Sequence, residues 1–344
     1  MPAPQLPAFD PRHVPESNAT GHALARTFPR NFFLDIGRCR RSGRGQAHRH
    51  TGYFRRPGID RSGVVTLCAA AAEAEVDGRI LPGVKDCRIE GDKLPLVVIS
   101  HGRGGSFFGH HDTAEALADA GFIVAAINHP GAADMSRSDD LAAFVERPTD
   151  IKRLINFVIQ TSPVATKIDP QRIGFFGFSR GGYAGLVLFG ANPDWAVVTE
   201  FCQQSSSHAC EQIRRKEFPT EPLAHDVRIK AAVIADPLAI MFSHVSFAPI
   251  RVPVQLWQSQ RGGDGVLPEH VAAVDKNLPA PHEYHVVPNS SHFAFLTPCP
   301  LIVAQARPEL CTDAPGFDRV AFHKELGAEV LGFLRKHLAR ADRP

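Results

Sequence analysis

The sharpest chemical signal in the chain is Gly177-Phe178-Ser179-Arg180-Gly181, with Gly182 behind it. It places one serine between glycines, after the apolar run 172–177 and before the apolar run 181–189. A serine hydroxyl becomes a nucleophile only when it is lifted out of the backbone and set beside a base. A sharp turn between strand and helix does the lifting, and it tolerates only small residues two before and two after. The pattern therefore nominates Ser179 to attack an acyl carbon. The competing structural role is a serine that merely caps a helix.

A serine nucleophile needs a base and an acid that orients it, here in the chain order serine, acid, histidine. Ser290-Ser291-His292-Phe293 follows the run 283–287 and supplies His292, one of 17 histidines but the one at the right place. Two aspartates follow apolar runs between Ser179 and His292. Asp264 lies in Arg261-Gly262-Gly263-Asp264-Gly265, and Asp236 in Ala235-Asp236-Pro237. Asp264 is the expected acid, because it follows the strand immediately before the one leading to His292 and its glycines let the chain turn inward. Asp236 is the alternative. The carboxylate would hold the imidazole tautomer and stabilise the imidazolium.

His101-Gly102-Arg103-Gly104-Gly105 completes the set. A glycine-rich loop after a strand can aim backbone N–H groups at a developing oxyanion. The expected donors are the N–H of Arg103 and the N–H of Arg180, the residue after the nucleophile. The loop lacks the spacing of a dinucleotide loop and the Lys-Ser/Thr of a phosphate-binding loop. His48/His50 and His110/His111 have no carboxylate or cysteine at ligand spacing, so they read as surface residues and no metal is expected.

Such a constellation needs strands that end at one edge of a sheet. The runs 94–100, 122–128, 172–177, 229–235, 253–257 and 283–287 read as buried strands. Between them, 112–120, 148–161, 181–189, 268–276 and 317–339 read as helices. The alternation predicts an α/β fold, a doubly wound, mainly parallel sheet. Residues 191–228 break the rhythm and read as a small cap-like insertion within a domain spanning 67–340.

The 344 residues suffice for a substantial core, and 44% hydrophobic with 22% charged content is ordinary for a globular chain. Residues 1–66 carry 11 Arg and no Lys against 4 acidic residues, a balance of +7 that leaves the rest at −5 for a whole-chain charge of +2. They read as an irregular Arg/Pro-rich leader, and neither nucleic acid nor stable membrane insertion is expected. There is no apolar run of about 18 residues and no clear signal peptide, so cytoplasmic and exported locations both stay open. Seven cysteines include the local pairs Cys202/Cys210 and Cys299/Cys311. They would be linked in an oxidising compartment and free thiols in a reducing one.

At these residues the chain resembles the α/β-hydrolase superfamily, and more narrowly its predicted dienelactone-hydrolase and platelet-activating-factor-acetylhydrolase-like group. The resemblance rests on Val98-Ile99-Ser100-His101-Gly102-Arg103-Gly104-Gly105, Gly174–Gly182, Asp264 with Pro268, and Ser291-His292-Phe293. It covers about residues 76–340. It implies an esterase or lipase that needs no metal or organic cofactor and acts on a small-molecule ester. It also implies an acid after the strand 253–257, which again points to Asp264. The group usually opens with antiparallel strands, which residues 1–66 do not suggest. Dienelactone hydrolases proper use a cysteine where this chain has Ser179. A peptidase or thioesterase on the same fold, or a binding protein without catalysis, are the competing functions, and the fold alone does not choose among them. Oligomeric state and acyl chain length are not legible.

Overall fold

In the computed structural model the described residues are 48–56, 59–68, 73–76, 79–82, 84–85, 89–130, 139–203 and 205–339. Residues 1–47 of the expected leader lie outside them. Residues 48–66 are described, and they correct the reading of an irregular leader. His48–Arg56 forms strand β1 and Ile59–Cys68 forms β2, paired antiparallel. Arg49, Arg55, Arg56 and Arg61 therefore lie on strands. Arg, Pro and Gly clusters hid the β-branched and aromatic positions Thr51, Tyr53, Ile59, Val64, Val65 and Thr66, the residue types that favour strands. Three short strands follow, β3 (Glu73–Val76), β4 (Arg79–Pro82) and β5 (Val84–Lys85).

The expected strands come next with small changes of boundary. They are β6 (Leu94–Ser100), β7 (Ile123–Asn128), β8 (Ile168–Phe178), β9 (Ile229–Ala235), β10 (Val254–Ser259) and β11 (His282–Val287). Their order across the sheet is β11-β10-β9-β8-β6-β7, all parallel, continued by β2, β1 and β5. Strand β2 pairs antiparallel with β7. The ends of β8, β9, β10 and β11 thus lie side by side, which brings the loops after them together. That is the placement the site requires.

Helices α1 (His111–Asp119) and α8 (Arg319–His337) cover one face of the sheet. Helices α2 (Ala142–Gln160), α3 (Arg180–Leu188) and α5 (Pro268–Asn277) cover the other. The pleat of β6 divides accordingly. Leu96 and Val98 join the core with Leu154, Ile155 and Leu186, while Val97 and Ile99 join Leu117, Phe322 and Val330. Full burial of each such side chain is worth about 1.5–3 kcal/mol. Short helices α4 (His208–Arg214), α6 (Leu301–Ala306) and α7 (Pro308–Cys311) complete the set.

Helix α2 begins before its expected start. Pro148 suggested a first helical position, but it lies inside the helix. The extra turns are held because Leu141, Phe144, Val145 and Arg147 are buried. Packing outweighs the one backbone hydrogen bond that proline removes.

Because β2 covers the edge of β7, a chain lacking residues 1–68 should lose solubility. An uncovered apolar strand edge invites aggregation. Soluble yield and size-exclusion elution check this, and a truncated protein that elutes as a stable monomer contradicts it.

Candidate active site

Ser179 sits between β8 and α3, and its backbone is strained. Its φ is 55° and ψ −118°, a conformation that a residue with a side chain seldom adopts and that costs of order 1–3 kcal/mol. The neighbours over-determine it. The Ser179 N–H donates to Ala235 C=O at 3.0 Å, and the Leu238 N–H donates to Ser179 C=O at 3.0 Å. The glycines around it leave room for close approach. A Cβ on Gly181 would lie 2.0 Å from Ser100 O, and one on Gly177 2.5 Å from Gly181 O. The hydroxyl-bearing turn is thus clamped against β6 on one side and the end of β9 on the other.

His292 starts a short turn after β11 and is 1% exposed. Its Nδ1 lies 2.7 Å from Oδ2 of Asp236. The ring stacks on Phe178, the residue before Ser179, at 4.6 Å between centroids. Asp236 is fully buried and accepts from the Ser259 N–H at 2.8 Å and the Ser259 hydroxyl at 2.7 Å. With Nδ1–H donating to a carboxylate, Nε2 carries the ring's lone pair. That Nε2 is buried and makes no hydrogen bond in the structure. A buried, unpaired nitrogen on a ring stacked against the residue before a strained serine calls for an explanation.

The expectation for Asp264 is corrected here. Its carboxylate does not meet His292; it pairs with the Arg103 guanidinium at 2.8 Å. Four consecutive residues, Gly262 to Gly265, have positive φ, and the turn they make sends Asp264 toward the loop after β6. The glycines serve His292 in another way. A Cβ on Gly263 would lie 3.3 Å from His292 Cβ, and Gly262 C=O accepts the His292 N–H at 2.8 Å. The signal for Asp236 was present in the sequence. It follows an apolar strand adjacent to β8, and Ser259 at the end of β10 offers two donors to a carboxylate at that level.

Arg103 and Arg180 both reach the site. Gly102 packs on Ser179, since a Cβ there would lie 3.1 Å from Ser179 Cβ, and Arg103 is the next residue. Arg180 is the first residue of α3. Its guanidinium lies 4.6 Å over the Phe144 ring and 3.5 Å from Asp139, which also binds Arg103. Burial, as the largest influence, pulls the Arg180 pKa down to about 10, leaving it charged at neutral pH.

A cavity of about 300 Å³ opens at these residues, lined by Phe144, Trp195, Leu238, Met241, Arg103 and Asp264 among others. The insertion 191–228 supplies one wall, including Cys202 and Cys210, which are joined by a disulfide. Cys299 and Cys311 are joined as well, bracketing α6 just after the His292 turn. No cluster of three metal-ligating side chains occurs among the described residues. No helix there is long and apolar enough to cross a membrane. The reading of His110 as a surface residue is corrected: it is 1% exposed, between Phe176 and Phe178, and burial pulls its pKa down to about 4. His111 is half-buried against Glu115. The side chains of His48 and His50 lie outside what the structure describes.

The chain is similar to known proteins in sequence and in fold. The family described as platelet-activating factor acetylhydrolase, isoform II, matches residues 77–153. A protein named as an esterase, NocK of Nocardia uniformis subsp. tsuyamanensis, is 29% identical over 162 residues. That match spans 46% of this chain and 44% of NocK, so the chain matches less than half the length of that relative. Among solved structures, a ferulic acid esterase from Streptomyces cinnamoneus superposes with a TM-score of 0.58 at 20% identity. The superposition covers 87% of this chain and 93% of that one.

Proposed function

We propose that this chain, a member of the α/β-hydrolase superfamily, is a carboxylic ester hydrolase that works through an acyl-enzyme on Ser179. The observation that carries the reading is the Asp236–His292 pair, with its unpaired Nε2, behind a serine in a strained turn. The family match and the relatives named as esterases support the class of reaction.

In this reading His292 Nε2 takes the Ser179 hydroxyl proton as Oγ attacks the ester carbon. The new imidazolium keeps its Nδ1–H on the Asp236 carboxylate, which stabilises the charge without taking the proton. The oxyanion forms against the N–H groups of Arg103 and Arg180. Collapse expels the alcohol, protonated by His292, and leaves the acyl group on Ser179. Water then attacks with His292 again as base, and the acid departs as Ser179 regains its proton. Asp264 holds Arg103 and takes no part in the proton path.

The pocket adjoining Arg103 and Arg180 is mainly apolar and aromatic. Its charges, Arg103 and Arg180 against Asp139 and Asp264, balance. It suits an uncharged small-molecule ester with a compact apolar acyl group, because 300 Å³ is at the small end of ligand pockets. A series of p-nitrophenyl esters from acetate to palmitate tests this. Turnover should be highest among the short and medium chains and fall steeply for palmitate. Equal or rising rates to the longest chain would contradict the pocket assignment, and no turnover of any ester would contradict the function.

A further inference from the structure

One buried cation close to the site has no part in the proton path. Arg147, on α2, is 3% exposed and points its guanidinium at the loop after β6. Its Nη1 donates to His101 C=O at 2.8 Å and its Nη2 to Gly102 C=O at 3.2 Å. The Gly102 carbonyl has further donors. His101 Nδ1–H reaches it at 2.7 Å and the Gly105 N–H at 3.4 Å. His101 is then the tautomer whose Nε2 accepts, and the His129 N–H faces that Nε2 at 3.5 Å. Burial, with the charge of Arg147, holds His101 neutral.

The Gly102 carbonyl and the Arg103 N–H belong to one peptide. In a planar trans peptide the two point in opposite directions, so fixing one fixes the other. Gly102 itself packs on the Cβ of Ser179, which sets the distance as well as the direction. We infer that Arg147 is the positioning residue of the oxyanion hole, aiming the Arg103 N–H by gripping the carbonyl at the other end of its peptide. The inference rests on the reading that the Arg103 N–H receives the oxyanion.

The grip suits arginine in particular. Two carbonyls side by side match the guanidinium fork, whereas an ammonium offers a point charge. Burial, and then the nearby charge of Arg180, lower the Arg147 pKa to about 9, so it remains charged at neutral pH. A carboxylate on the next turn is also buried. Asp150, 4% exposed, faces His129 Nδ1 at 3.4 Å, and His129 Nε2 meets the Ser100 hydroxyl at 2.9 Å. The floor of the loop is therefore a continuous polar network, and such a network rigidifies what it supports.

The test uses the full-length chain with an ester it turns over. Arg147→Lys keeps the charge and loses the fork; Arg147→Gln keeps a donor and loses the charge. Thermal melts first establish which variants are folded at the assay temperature. In a folded variant kcat should fall about 10- to 100-fold, somewhat less than removal of an oxyanion donor outright. KM should change by less than about twofold, because the lost interaction belongs to the transition state. Affinity for an aryl boronic acid, whose serine adduct is tetrahedral and places an anionic oxygen in the hole, should fall in parallel with kcat. A merely structural arginine would lower the melting temperature and leave boronate affinity and kcat of the folded enzyme unchanged, and that result overturns the inference. Turnover that survives Ser179→Ala removes the premise and overturns it too, and only in that case does the reading of the site fail with it.

Discussion

Ser179→Ala should reduce ester hydrolysis by about 10⁴-fold or more while the melting temperature stays near that of the wild type. The loss is large because nucleophile and base act as a unit, so that removing the nucleophile leaves only the help of the oxyanion donors and of binding. The fold should survive because the strain at this position is backbone strain, held by the hydrogen bonds to Ala235 and Leu238. Neither bond involves the hydroxyl. A positive φ is no easier for alanine than for serine, so no stabilisation is expected from the change. The measurements are steady-state turnover of the best p-nitrophenyl ester and a thermal melt of both proteins.

Asp236→Asn should lower kcat by about 10³- to 10⁴-fold, through the wrong histidine tautomer. An amide at this position can present its NH₂ to His292, which would then carry its proton on Nε2, where the lone pair is needed. The substitution also places an amide among donors. The Ser259 N–H and hydroxyl both give hydrogen bonds to the Asp236 carboxylate, so some loss of stability accompanies the loss of activity. Asp264→Asn should cost far less, of order tenfold or below, since it weakens a partly exposed ion pair, and such pairs are worth little. Asparagine also tolerates the left-handed backbone found there. The comparison of kcat between the two variants is decisive. Loss of activity in Asp264→Asn with retention in Asp236→Asn would reverse the assignment.

The sequence made the parallel core legible because its strands are buried on both faces and read as unbroken apolar runs, from Leu94–Ser100 to Ile229–Ala235. It made Ser179 and His292 nameable as candidates because Ser179 directly follows the run that ends at Phe178 and His292 lies on the loop after β11. Strands β1 and β2 were hidden for the opposite reason, since Arg and Gly interrupt their pattern. Chain order favours Asp264 as the partner of His292, and spatial order favours Asp236. Asp264 is nearer to His292 along the chain, but β9 lies between β8 and β10, so its end is the one next to Ser179. The direction in which a run of left-handed residues turns a side chain has no signature in residue type. Arg147 was invisible for a related reason. Nothing in Arg147-Pro148-Thr149-Asp150 says that Arg147 will be buried against a loop 46 residues earlier in the chain.

Covalent labelling with a fluorophosphonate, followed by peptide mapping, asks whether Ser179 is the acyl-accepting nucleophile. A single phosphonylated peptide is expected, modified at Ser179, with turnover lost in step with labelling and no labelling of Ser179→Ala. Labelling at another residue with loss of turnover, or full turnover after Ser179 has been modified, would contradict it.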